Sequence, residues 1–252
     1  MIYILLGAGS GTRMGTLTSD RAKVLVQVEG RAILAHNLAN IATADPAARV
    51  RIITGFGADA VAAFVREHSR AGTVETVFNP DYAVAGPLRS VDIGLTGLGD
   101  DEPVTIGNGD TIFEPRALAA LAAAPAGAAL LGSPAGTAAD EDDVQLLADG
   151  DVVRVAAKRL GAAGSLPVSA GLLQIRGAAA LAVVREAVRA GLMQEKTEGR
   201  ALTWHSIIAR LGAIVPQVVM VPRDWWWEFD SPDCIERYHA HVIGQNEQAS
   251  GA

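Results

Sequence analysis

The chain has 252 residues, with 21 lysines and arginines against 28 aspartates and glutamates, for a formal net charge of −7 and a pI near 5.2. That length suits one α/β domain with an appendage, and a half-hydrophobic composition with mean hydropathy +0.24 is far from that of a disordered chain. The negative balance argues against sequence-independent binding of nucleic acid, and the single cysteine, Cys234, excludes an intrachain disulfide or a multi-cysteine metal site, so the reducing cytoplasm is the expected compartment.

Residues 2–6 are a short apolar run stopped by Gly7, the pattern of a strand buried on both faces. No basic segment precedes the run, which is too short for a signal peptide. Beyond a glycine-rich stretch, apolar residues recur at helical spacing over 33–41. A strand over 50–54, a helix over 58–70, a strand over 74–78 and a helix over 88–98 follow. Next come a strand over 104–106, a helix over 114–124 with Pro115 in its first turn, and a strand over 128–131. Residues 117–139 carry no charge, but Pro125, Pro134 and several glycines interrupt them, so no membrane span is expected there. The alternation predicts a three-layer α/β fold around a mostly parallel sheet.

From there the pattern changes. Apolar runs over 144–147 and 152–156 flank Asp149-Gly150, a hairpin signal. A strand over 168–175, helices over 181–189 and 202–211, a strand over 215–221 and a last helix over 232–242 complete the chain. The second half thus reads as a small mixed antiparallel appendage, and residues 245–252 as a frayed tail. One domain over 1–244 is expected, divided at about residue 135.

The strongest chemical signal is Gly7-Ala8-Gly9-Ser10-Gly11-Thr12-Arg13-Met14-Gly15, directly after the first strand. Glycines let backbone N–H groups approach phosphate oxygens, and Arg13 supplies a neutralising cation. The dinucleotide fingerprint G-x-G-x-x-G fails at Thr12 when counted from Gly7 and at Met14 when counted from Gly9. A P-loop fails for want of Gly-Lys-Ser/Thr. A plain strand-to-helix turn would need fewer glycines. Lys23, ten residues on, either flanks a strand in solvent or reaches the same polyphosphate. Asp110, after Asn108-Gly109, stands at the end of an interior strand, where open sheets bind ligands; it suits a Mg²⁺ ligand, with a helix cap as the alternative. Asp230 precedes the last helix and on its own reads as a cap. Trp225-Trp226-Trp227 reads as packing between core and appendage, and the acidic run 140–143 as a solvated loop.

These motifs together resemble the nucleotidyltransferases that build sugar nucleotides and related CMP or UDP conjugates. Asn79-Pro80-Asp81-Tyr82 leading to Ser90, and Trp227-Glu228-Phe229-Asp230, are similar to the phosphocholine and phosphonate cytidylyltransferase branch. The likeness runs in order from residue 2 to about 243. It implies the Rossmann-like nucleotidyltransferase fold, with a nucleotide-binding half over 1–135 and an acceptor and metal half over 136–244. It also implies a nucleotide site of Leu6, Ala8, Gly9, Ser10, Gly11, Thr12, Arg13, Lys23, Asn79, Gly86, Ser90 and Asp110. Asp110 and Asp230 would hold Mg²⁺, and Arg13, Lys23 and Lys158 would carry the catalytic charge. Arg89, Lys158, Trp227 and Glu228 would face the acceptor. Two departures stand out: Ala22 where the family has proline before the lysine, and Ala85-Gly86-Pro87-Leu88-Arg89 where it carries Thr-Asn.

The implied reaction is transfer of CMP from CTP to a small phosphonate, with phosphocholine next, and release of pyrophosphate. A quaternary ammonium would want an aromatic cage, which Trp225–Trp227 with Glu228 offer, whereas a carboxylated phosphonate would want a cation such as Arg89. A sugar 1-phosphate acceptor, or nucleotide binding without turnover, are the alternatives. No nucleic acid or membrane partner is expected, and a homodimer is left open.

Overall fold

The computed structural model describes residues 1–124, 127–136, 142–212, 214 and 216–250. In chain order the strands are β1 (Ile2–Gly7), β2 (Gln27–Val28), β3 (Arg31–Ala32), β4 (Arg49–Thr54), β5 (Val74–Phe78), β6 (Val104–Asn108) and β7 (Thr111–Phe113). They continue as β8 (Ala128–Ser133), β9 (Val144–Asp149), β10 (Val152–Lys158), β11 (Val168–Ile175), β12 (Gln217–Met220) and β13 (Trp226–Glu228). The helices are α1 (Ile33–Ala44), α2 (Ala58–His68), α3 (Pro87–Leu95), α4 (Pro115–Ala122), α5 (Ala178–Glu198) and α6 (Pro232–Ser250).

Nine strands form one sheet in the order β5-β4-β1-β6-β11-β8-β12-β10-β9. β1 runs parallel to β4 and β6, β4 to β5, and β8 to β12. β11 is antiparallel to β6 and β8, and the β9–β10 hairpin is antiparallel. Strand alternation explains the three layers. Ile2 and Ile4 join Leu88 and Val91 of α3 and Leu181 and Val184 of α5 in one core. Tyr3 and Leu5 join Leu34 of α1, Val61 of α2 and Leu118 of α4 in the core on the opposite face. Burying each large side chain contributes roughly 1.5–3 kcal/mol. The expected three-layer α/β architecture is therefore present, with β9 to β12 of the second half joined to the same sheet.

Four differences from the sequence reading have physical causes. α5 runs to Glu198 because helix-forming residues continue until Gly199, whose φ of +61° ends it. The segment Trp204–Arg210 is a 3-10 helix, its first residues anchored by side-chain bonds to Asn108 and Ser169. α6 continues to Ser250 with no glycine or proline over residues 245–250, beyond the helix end expected at 242; residues 251 and 252 lie outside the described ones. Within the acidic run, Asp143 is buried rather than solvated, while Asp140 and Glu141 lie outside the described residues. Among the described residues, no helix is long and apolar enough to cross a membrane.

Candidate active site

Parallel pairing sets Leu6 of β1 opposite Asn108 of β6, so the glycine-rich loop and Gly109-Asp110 open into one crevice at the carboxyl ends of the strands. The Gly109 N–H donates to the Leu6 carbonyl at 3.0 Å. A Cβ at position 109 would lie 2.7 Å from that oxygen, so the approach requires glycine. Gly11 has φ +65°, and a Cβ there would sit 3.0 Å from the Lys23 stem that passes beneath it. The amides of Gly9, Ser10 and Gly11 make no hydrogen bond with described residues, and all three residues line the cleft. Three successive donors are thus available to an anion. The cleft encloses about 430 Å³.

A second, small sheet supplies the rest of the floor. β13 pairs antiparallel with β7, Trp226 opposite Phe113 and Glu228 opposite Thr111, and the Phe229 N–H donates to the Asp110 carbonyl at 3.1 Å. Alternation puts Trp226 and Glu228, two apart, on one face of β13 and Trp227 on the other. Trp226 is fully buried, with its indole N–H on Ser133 Oγ (2.8 Å) and the Arg223 guanidinium over its ring. Glu228 points into the cleft, where Asp110, Glu228 and Asp230 each offer a carboxylate oxygen within 4.8 Å of the others. Asp110 lies between β6 and β7, not at a helix start, so it caps no helix.

Lys23 is buried and donates from Nζ to Asp110 Oδ2 (2.7 Å) and Asp230 Oδ1 (2.5 Å). Arg13 donates to Asp230 (2.8 Å) and to Asp142 (2.6 Å), and Lys158 lies 3.4 Å from Asp142. Burial alone would lower the Lys23 pKa, but Asp110 and Asp230 outweigh it and hold it above its ordinary value. Burial alone would raise Asp230, but Lys23 and then Arg13 outweigh it and hold it low. Burial, then Asp110 and Asp230, push Glu228 up to about 8, so it keeps its proton at neutral pH. Three hard oxygen donors this close fit a cation of the Mg²⁺ type. A divalent charge would replace what the Glu228 proton and the Lys23 ammonium now provide.

The opposite wall holds Val144, Lys158, Ser169, Gly171, Trp204 and His205. The Trp204 indole N–H donates to Asn108 Oδ1 (2.8 Å), its ring stacks on His205 at 3.9 Å, and Ser169 Oγ lies 2.9 Å from His205 Nε2. Burial, helped by the Lys158 charge, drives His205 down to about 3, so its imidazole is neutral.

Of the residues singled out in the sequence, the cleft gathers Leu6, Gly9, Ser10, Gly11, Thr12, Arg13, Lys23, Asp110, Lys158, Glu228 and Asp230. It does not gather six others. The Ala8 carbonyl accepts the Phe56 N–H outside the cleft. Buried Asn79 donates to Ser90 Oγ at 3.0 Å, so the two satisfy each other. Gly86 starts α3 against Glu195 and Leu202. Arg89 is paired with Asp81 (3.0 Å) and Asp92 (2.6 Å). Trp227 packs against Tyr238 and His241 of α6, and with Glu228 it lines a neighbouring cavity rather than this cleft. Trp225 stacks under Arg116 instead. Sequence reasoning missed Asn108, Ser169, Trp204 and His205 as site residues. Only Asn108, beside Asp110 at the end of a strand, carried a positional signal.

A family model described as a MobA-like NTP transferase domain matches residues 3–165. The CMP-5'-(3-aminopropyl)phosphonate synthase of Streptomyces rubellomurinus is 37% identical over 122 residues, which are 48% of this chain and 19% of that protein. The N-acetylmuramate alpha-1-phosphate uridylyltransferase of Caulobacter vibrioides is 35% identical over 130 residues, 50% of this chain and 52% of that protein. The matched region thus spans about half or less of these curated relatives. The CTP:phosphocholine cytidylyltransferase of Streptococcus pneumoniae shares the fold, with a TM-score of 0.71 over 96% of this chain and 98% of that one, at 16% identity.

Proposed function

The chain belongs to the MobA-like NTP transferase domain family, and from that premise we propose that it moves CMP from CTP onto an oxygen of a small phosphonate or phosphomonoester, releasing pyrophosphate. The observation that carries this reading is the cluster of Asp110, Glu228, Asp230 and Lys23 directly beneath the uncommitted amides of Gly9 to Gly11. Similarity to the CMP-aminopropylphosphonate synthase supports the cytidylyl and phosphonate parts.

In this mechanism the acceptor oxygen attacks the α-phosphorus, the bond to the bridging oxygen breaks, and that oxygen leaves with the electron pair as pyrophosphate. A phosphate's second pKa is ~6, so the acceptor is already largely ionised near neutrality and needs no general base. The loop amides orient the triphosphate. Lys23 and Arg13 exchange their carboxylate partners for the departing pyrophosphate, and Lys158 offsets repulsion between acceptor and α-phosphate. Asp110 and Asp230, with Glu228 beside them, would hold Mg²⁺. Bound there, the ion would neutralise phosphate charge as it develops.

The test is pyrophosphate release with Mg²⁺, crossing CTP, UTP, ATP and GTP against 2-aminoethylphosphonate, 2-hydroxyethylphosphonate, phosphonoformate, phosphocholine and glucose 1-phosphate. Release with CTP and a phosphonate or phosphocholine, lost in Asp110→Ala, is expected. Release only with the sugar phosphate would favour the second reading, a sugar-1-phosphate nucleotidylyltransferase, which similarity to the uridylyltransferase supports. Silence with CTP still bound would leave a nucleotide-binding protein without turnover.

A further inference from the structure

His205 is 4% exposed yet lines the cleft, and its two ring nitrogens have different surroundings. Nε2 lies 2.9 Å from Ser169 Oγ. That hydroxyl oxygen already accepts the Gly171 N–H at 3.0 Å, and among the described residues Nε2 is the acceptor left for its proton. Donation from Ser169 to Nε2 would place the proton of the neutral imidazole on Nδ1. Nδ1 has no partner among the described residues, and the ring lines the cleft. The ring cannot swing freely. Trp204 stacks on it at 3.9 Å and 26° and is itself pinned to Asn108. Burial and the Lys158 charge keep it from taking a second proton.

We infer that His205 grips the acceptor through its Nδ1–H, donating to a non-reacting oxygen of the acceptor's phosphonate or phosphate group beside Lys158, and that Ser169 is a positioning residue that sets the tautomer. This rests on the cytidylyltransferase reading. The chemistry favours a neutral donor at this place. An imidazolium would share its proton with the attacking oxygen and weaken it as a nucleophile. A neutral N–H orients the group without that loss, while Lys158 supplies the charge.

The experiment pairs kinetics with ¹⁵N NMR of the imidazole rings in the full chain, the His205 signals being identified by their absence in His205→Phe. In the wild type the proton should sit on Nδ1, with no titration between pH 5 and 8; Ser169→Ala should shift it toward Nε2. Losing a hydrogen bond to an anion costs about tenfold to a hundredfold. His205→Phe, which keeps the stacked ring, should therefore raise the acceptor KM by that factor and leave the CTP KM unchanged. His205→Asn, whose amide can replace the Nδ1 donor, should recover most of the loss. Melting curves and CTP binding check that each variant is folded; should His205→Phe fail there, His205→Asn and the NMR of Ser169→Ala decide. A proton on Nε2, or an acceptor KM unmoved in an active His205→Phe, overturns the assignment. A wild type that binds CTP but transfers to no acceptor removes the functional reading and this role with it, although the tautomer would still be read.

Discussion

Asp110 and Asp230 bond to the same lysine, yet they reach it from regions built in different ways. Asp110 follows β6, a strand held between β1 and β11 at the centre of the nine-stranded sheet, with both faces covered by core. Asp230 follows β13, three residues paired with three of β7, and its neighbour Phe229 is buried in a small satellite core with Met14, Val26 and Ile33. The first region would hold its carboxylate in place if the second were loosened. The converse is not true, because β13 has only β7 to pair with. The proposed metal site, split this way, would couple its completion to the docking of the last forty or so residues, in which Trp226 is fully buried.

The most severe way to challenge this comparison is to remove the carboxylates themselves. Asp110→Asn and Asp230→Asn should each lower kcat by at least ~10³-fold, about 4 kcal/mol of transition-state stabilisation. Steady-state pyrophosphate release checks this, and a loss under tenfold at Asp230 would remove it from the site. Trp226→Ala should cost about 3–5 kcal/mol in urea denaturation, from the cavity and the orphaned Ser133 hydroxyl. It should weaken metal affinity more than nucleotide affinity, since the glycine loop lies on the other region. Equal losses would mean that the two regions are not separable.

A pH series sharpens the contrast on the acceptor wall. His205 falls from an ordinary 6.5 to about 3 in the fold. Between those values the unfolded chain binds the proton and the folded chain does not, so stability rises with pH across that window. From pH 7 to pH 5 the loss should be about 2 kcal/mol, and His205→Phe should flatten it. Urea midpoints at the two pH values read this directly. The smallest effect is expected at Arg89, whose half-buried pairs with Asp81 and Asp92 are worth ~1 kcal/mol or less after screening. Arg89→Ala should leave the acceptor KM within about twofold; a larger rise would bring α3 into the acceptor site.

Much of the glycine-loop side of the cleft was legible because its signals are local. The β1 run, its terminating glycine and the loop to Arg13 are contiguous, and Asp110 was placed by one rule about strand ends. The opposite wall was less legible. Arg89 and Trp227 have suitable chemistry, but a cation's position depends on which carboxylates surround it, and a strand residue's direction depends on register. Asn79 and Ser90 are buried polar groups that had to find partners, and they found each other.

The sequence by itself determined the alternation of strands and helices, the three layers and the phosphate-competent loop. Hydrophobic periodicity records which faces are buried, and glycine records where the backbone must approach closely. The tertiary structure alone decided that Glu228 joins Asp110 and Asp230, that Lys23 lies among them, and that His205 meets Ser169 on the wall of the cleft. Those placements come from a three-residue strand pairing and single side-chain bonds between distant segments. Such contacts are too short and too far apart along the chain to leave a periodic trace.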